Sequence, residues 1–359
     1  MIEEASQALI AQAFNQQASD IHFIPHQNTY QVYLRINGQL SLWGERPLEW
    51  GRRVIAHLKF LANLDVGERR QPQSGACEVT INQGGGSTAQ KVELRLSTIT
   101  DVHLNESLVI RLIFGKLHQA KIIQTYFPQD LLILRRLVRR KSGLVLIAGP
   151  VGSGKTTTIY QLLRERIDQE VLQVITMEDP VEIKEPRFLQ TQVNEKANIS
   201  YDLLIKSALR HHPDVLFIGE IRDEETARMT IRGALTGHLM IATLHAKDTL
   251  GVLGRLQELN ISQHQLSQTL IGIISQRLVP RHCPQCQQSS LSQCPHLSKH
   301  YKQAVLFEIL TGSPLKKALI GLSDNLDLSE SIPPLNKRLR KVWAYGYIGT
   351  QTYHHFEII

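Results

Sequence analysis

Long apolar runs are missing from this sequence. No stretch reaches the roughly eighteen residues that a helix needs to cross a bilayer, and the N-terminus, MIEEASQALIAQAF, is acidic where a secretory leader would be basic. A cytoplasmic location is expected, with any hold on a membrane supplied by a partner. Cysteine is also scarce. Four in 359 residues do not make a disulfide scaffold, and Cys283, Cys286 and Cys294 cluster, which points to metal or redox chemistry. Sustained low-complexity tracts are absent. Charged residues make up 20% of the chain and hydrophobic ones 42%, a balance that describes an ordered protein of two or three domains. The net charge of +7 permits contact with nucleic acid or anionic lipid without requiring it.

Against these absences stands one strong motif. Leu144 to Ala148 is an apolar run of strand length, and it leads into Gly149-Pro150-Val151-Gly152-Ser153-Gly154-Lys155-Thr156-Thr157, a match to G-x-x-x-x-G-K-[ST]. The glycines let successive N–H groups turn inward as an anion nest, and a helix opening near Lys155 adds its N-terminal dipole. Lys155 supplies a point charge for the β- and γ-phosphates of ATP, and the Thr156 hydroxyl is placed to hold Mg²⁺.

Three further strands are predicted downstream. Val171 to Met177 ends in Glu178-Asp179-Pro180, and Asp214 to Gly219 ends in Glu220-Ile221-Arg222-Asp223. In open α/β sheets ligands gather at the carboxyl ends of strands, so these acids are candidates for metal or water. The second run has the shape of a Walker B element in which Gly219 replaces the usual aspartate, leaving Glu220 to orient or deprotonate the attacking water. His238 and His245 bracket the last apolar run and are candidates to sense or orient phosphate. Parallel strands joined by helices imply a RecA-like core, and phosphoryl transfer on such cores commonly draws charge from a neighbouring subunit, so a ring is expected.

Before the core, a helix over 3–17, a hairpin turning at Asn37-Gly38, a helix near 49–64 and strands flanking a flexible loop at 83–87 describe a separate small α/β domain. Its Arg69, Arg70, Arg95 and Arg111 are either structural groups or trans-acting contacts to a nucleotide phosphate. After the core, Cys283-Pro284-Gln285-Cys286 is half of a zinc knuckle. Cys294 and His296 are able to complete tetrahedral coordination, with His282 and His300 as further candidates and free thiols as the alternative. The segments KQAVLFEILTGSPLKKAL and PPLNKRLRKVWAYGYIG read as helical packing.

Taken together, GPVGSGKTT, ITMEDPVE, LRHHPDVLFIGEIRDEET and TGHLMIATLHA resemble the Walker A, Asp, Walker B and His boxes of the GspE/PilB/PilT traffic ATPases of secretion systems and type IV pili. ASDIHF, YLRINGQL, RRQPQSGA and ELRLST resemble the domain preceding that core. The resemblance implies an α/β fold: a PAS-like N-terminal domain over 1–118, a linker over 119–130, a RecA-like core over 131–275 and a helical C-terminal region over 276–359. By position it implies Glu220 as catalytic glutamate, Glu178 as the Asp-box acid, His238 and His245 as His-box residues, and Arg95 and Arg111 as nucleotide-facing arginines. It also implies a homo-hexamer acting on a polytopic inner-membrane platform protein, coupled indirectly to pilin-like subunits. The short stretch before ASDIHF together with CPQC is most similar to the branch that assembles the competence pseudopilus for DNA uptake. Pilus or type II secretion assembly and retraction form the alternative, and a translocase or scaffold binding DNA directly is the competing class.

Overall fold

Two patterns of burial separate the parts of the chain. Residues 29–36 alternate buried and half-buried positions, the pattern of a sheet with one buried face, whereas residues 143–148 and 239–244 are buried at every position and so covered on both faces. The computed structural model describes residues 2–36, 38–82, 89–113, 123–194, 197–286, 294, 296–297, 302–324 and 334–358. Asn37 of the expected turn, the loop at 83–87, residues 119–122 of the expected linker and His300 lie outside the described residues. The chain divides into two units, 1–116 and 117–359.

The first unit runs α1 (Ile2–Asn15), β1 (Asp20–His26), β2 (Thr29–Ile36), β3 (Gln39–Pro47), α2 (Leu48–Leu61), β4 (Gln73–Asn82), β5 (Ala89–Thr100) and β6 (Glu106–Ile113). Its six strands form one antiparallel sheet in the order β3-β2-β1-β6-β5-β4. Ile21 and Phe23 of β1 and Tyr30, Val32 and Leu34 of β2 form a core with Leu9 and Ile10 of α1 and Val54, Ile55 and Leu58 of α2. Because side chains alternate along a strand, the intervening residues face the other way. Cross-strand pairing sets Arg35, Asp20, Arg111 and Arg95 in a single row across β2, β1, β6 and β5.

The second unit runs α3 (Gln129–Val138), β7 (Gly143–Ala148), α4 (Lys155–Ile167), β8 (Val174–Glu178), β9 (Leu189–Gln192), α5 (Tyr201–Ala208), β10 (Val215–Ile218), α6 (Glu224–Leu235), β11 (Leu239–Leu244), α7 (Thr249–Glu258), α8 (Gln263–Thr269), β12 (Leu270–Pro280), β13 (Gln303–Thr311), α9 (Gly312–Asp324), α10 (Leu335–Ala344) and α11 (Thr350–Phe356). A seven-stranded sheet has the order β13-β12-β7-β11-β10-β8-β9, parallel except for β13. Leu144, Leu146 and Ala148 pack into one hydrophobic cluster, and Val145 and Ile147 into another. The P-loop strand β7 is therefore buried on both sides, as its unbroken apolar run requires.

Three expectations change. Residues 303–311, read as helical, form β13 against β12, and among the described residues of the C-terminal region 312–324, 335–344 and 350–356 are helices. The continuous run AVLFEIL has the burial of an inner strand, and period alone does not separate that from a buried helix. The boundary expected after 275 falls inside β12, which pairs with β7. Part of the expected linker is also fixed, since the Val305 N–H bonds to the Gln124 carbonyl and the Tyr126 N–H to the Val305 carbonyl.

Candidate nucleotide site

β7 ends at Ala148 and α4 begins at Lys155, so the P-loop spans the turn between them. Gly149, Gly152 and Gly154 have φ of +151°, +77° and +82°, conformations that side chains with a Cβ resist. At Gly149 space forbids it too, because a Cβ would lie 2.5 Å from the Gln276 carbonyl oxygen. The Lys155 ammonium folds back to donate to the Gly149 and Pro150 carbonyls at 2.8 and 3.1 Å. Burial pushes it below the usual lysine value, opposed by the charges of Glu220 and Glu182. Ser153 Oγ is buried with no hydrogen-bond partner, Thr156 is half-buried, and Pro150, Val151 and Thr157 are exposed. An orphaned buried hydroxyl in a glycine-rich loop that opens a helix fits a phosphate-bearing ligand.

Glu220 follows β10, two strands from β7 in the sheet. His245 Nε2 lies 3.2 Å from its Oε1, and Arg222 Nε donates to its Oε2 at 2.8 Å. Gly219 has a packing reason. Its N–H bonds to the Met177 carbonyl at 2.7 Å, and a Cβ would stand 3.0 Å from the Tyr201 hydroxyl and 3.1 Å from that carbonyl, so any larger residue there must push these neighbours aside.

Two further candidates, Glu178 and His238, make their hydrogen bonds to residues other than Glu220. Glu178 is buried and accepts hydrogen bonds from the Tyr160 and Thr176 hydroxyls at 2.5 and 2.7 Å. Burial pushes its carboxyl above the usual 4.5, and those hydrogen bonds only partly offset the shift. The next residue, Asp179, accepts from Arg222 Nη1 at 3.0 Å instead, because consecutive residues at a strand end project to opposite sides. His238 precedes β11 and His245 follows it. Leu239 pairs with Gly143 and Leu244 with Ala148, so His238 stands at the end of β7 away from the phosphate loop, seven residues and up to about 23 Å of extended chain from His245. Its ring meets Thr236 Oγ1 at 3.1 Å. Of the two histidines, His245 is the one gathered with the acids.

Sequence reasoning passed over Gln276 and Arg277 of β12. Gln276 Nε2 donates to the Ser153 carbonyl at 2.6 Å, and Arg277 reaches the Gln276 carbonyl at 3.0 Å and the Lys247 carbonyl. No spacing rule links them to the P-loop; only the pairing of β12 with β7 does. In the first unit Arg111 Nε bonds to Asp20 Oδ1 at 2.9 Å, and Arg95 is its cross-strand neighbour. Arg70 pairs with Glu68, and the Arg69 carbonyl accepts from Thr100.

Cys283, Cys286, Cys294 and His296 bring their ligand atoms within 4.8 Å of one another. Cys286 Sγ lies 3.5 Å from Cys294 Sγ and 2.9 Å from His296 Nδ1, and three thiols with one imidazole are a donor set suited to tetrahedral zinc. His282 stands outside this group.

Residues 1–326 match the family described as Type II/IV secretion system protein. The chain belongs to this family. Competence protein ComGA of Halalkalibacterium halodurans is 39% identical over 351 residues, covering 97% of this chain and 96% of that protein. Competence protein ComGA of Bacillus subtilis is 36% identical over 353 residues, covering 98% and 97%. The family fold is seen in the crystal structure of the pilus retraction motor PilT with bound ADP, which matches at a TM-score of 0.64 and 23% identity over 98% of this chain and 97% of that one. Among the described residues no helix is long and apolar enough to cross a membrane.

Proposed function

We propose that this family member is an ATP-hydrolysing motor that drives assembly of a competence pseudopilus for DNA uptake. The observation that carries the enzymatic half is Glu220, held at the carboxyl end of β10 with His245 against one oxygen, in the sheet whose β7 presents the P-loop. ATP lays its phosphates on the amides of 149–157, with Lys155 on the β- and γ-phosphates. Glu220 accepts a proton from water as the water oxygen bonds to the γ-phosphorus and the bond to the bridging oxygen breaks, giving ADP and phosphate. His245 orients the Glu220 carboxylate or the leaving phosphate. Mg²⁺, when bound with ATP, supplies charge at the phosphate oxygens, and the Thr156 hydroxyl is the group that would hold it.

Arg95 and Arg111 act on nucleotide from a neighbouring subunit of a homo-hexamer. The ring works at the inner face of the cell membrane against a polytopic platform protein, and pilin-like subunits are its indirect load. The competence half rests on likeness to ComGA along nearly the whole of both chains. Cys283, Cys286, Cys294 and His296 hold a structural zinc, since four protein donors suffice to fill a tetrahedral site.

Replacing Lys155 by Ala or Glu220 by Gln tests both halves. Each variant should lose ATP turnover in the purified protein and transformation in cells, with Glu220→Gln still binding ATP. Normal DNA uptake with Glu220→Gln would refute the motor reading. A gene neighbourhood containing an outer-membrane secretin would favour a pilus or secretion machine instead.

A further inference from the structure

Ile221 is buried, and its N–H bonds to the Thr243 carbonyl at 2.9 Å. Two residues on, the Asp223 side chain caps α6 by accepting from the Thr226 N–H at 2.8 Å. Arg222 sits between these two anchors, so its backbone is fixed from both sides. Its guanidinium then spans two strand ends, with Nε on Glu220 Oε2 at 2.8 Å and Nη1 on Asp179 Oδ2 at 3.0 Å. His245 takes the other Glu220 oxygen at 3.2 Å. A carboxylate on a flexible two-carbon stem is thereby held at each oxygen by a group from a different part of the sheet. A planar guanidinium with fixed donor directions is the side chain suited to the task, because it orients what it binds as well as attracting it.

We infer that Arg222 is a positioning residue: it fixes the Glu220 carboxylate for attack on the γ-phosphate, and Asp179 in turn fixes Arg222. The inference rests on the ATPase reading above and adds to it a line of force from the end of β8, through one arginine, to the catalytic acid. In this role Arg222 acts through Glu220 rather than on the phosphate. Asp179, next in sequence to the buried Glu178, becomes the acid of that strand end that bears on turnover.

The test uses the full chain with saturating Mg·ATP and follows phosphate release at steady state and in single turnover. Arg222→Gln should lose roughly 10- to 100-fold in kcat while KM for ATP stays within about twofold. Arg222→Lys keeps the charge without the fork and should recover part of the loss, and Asp179→Asn should show a smaller fall of the same kind. In a Glu220→Asp background, which keeps a carboxylate and residual turnover but draws it back by one methylene from the arginine, Arg222→Gln should cost little further. Equal losses in both backgrounds would overturn the inference, as would a raised KM at unchanged kcat. Absence of turnover in the unmodified protein under the same conditions would instead strike the ATPase reading itself.

Discussion

Gln276 of β12 donates its side-chain amide to the Ser153 carbonyl of the phosphate loop at 2.6 Å, across 123 residues of chain. Gln276 is fully buried, so that carbonyl has no access to water through this side. Gln276→Leu should leave it unsatisfied and lower the unfolding free energy of the second unit by about 1–3 kcal/mol. A loosened loop should also raise KM for ATP. Urea unfolding and steady-state kinetics check the two effects separately.

The two histidines flanking β11 should behave differently. His245→Ala removes the group on Glu220 Oε1 and should lower kcat by roughly 10- to 100-fold. His238→Ala changes a contact to Thr236 at the far end of the strand and should leave turnover within about twofold. Phosphate release from the two purified variants decides the matter, and equal losses would put the strand geometry in question.

Glu178 makes stability depend on pH. Its carboxyl is raised in the folded protein, chiefly by burial, so the folded state holds that proton more tightly than the unfolded chain does. The stability it contributes is fully present below the unfolded value near 4.5 and is lost as pH rises through the folded value. Glu178→Gln does not titrate. Thermal unfolding should therefore show a shallower fall of Tm with rising pH above 4.5 in the variant than in the unmodified protein.

Zinc should be tied to Cys283, which is buried in the cluster with Cys286, Cys294 and His296. Elemental analysis should find zinc in the purified protein and little in Cys283→Ser. The variant should also melt at lower temperature, because binding energy at a structural site is folding energy. Equal metal content in the two proteins would argue for free thiols.

The sequence by itself determined the P-loop, since glycines at 149, 152 and 154 and the lysine after them are required by local backbone geometry. It determined the apolar strands too, because strands buried on both faces must be apolar throughout, and it marked Glu220 as the acid ending one of them. Local pattern could not tell strand from buried helix at 303–311, where the burial comes from pairing with β12. Nor could adjacency decide between Glu178 and Asp179, or between His238 and His245. Those choices depend on which side of a strand end a residue leaves and on which end of β7 it stands beside, and only strand order and register fix that. Arg222 and Gln276 lie furthest from local legibility. Each acts on a partner brought near by the sheet: Arg222 ties the ends of β8 and β10, and Gln276 reaches the P-loop because β12 pairs with β7.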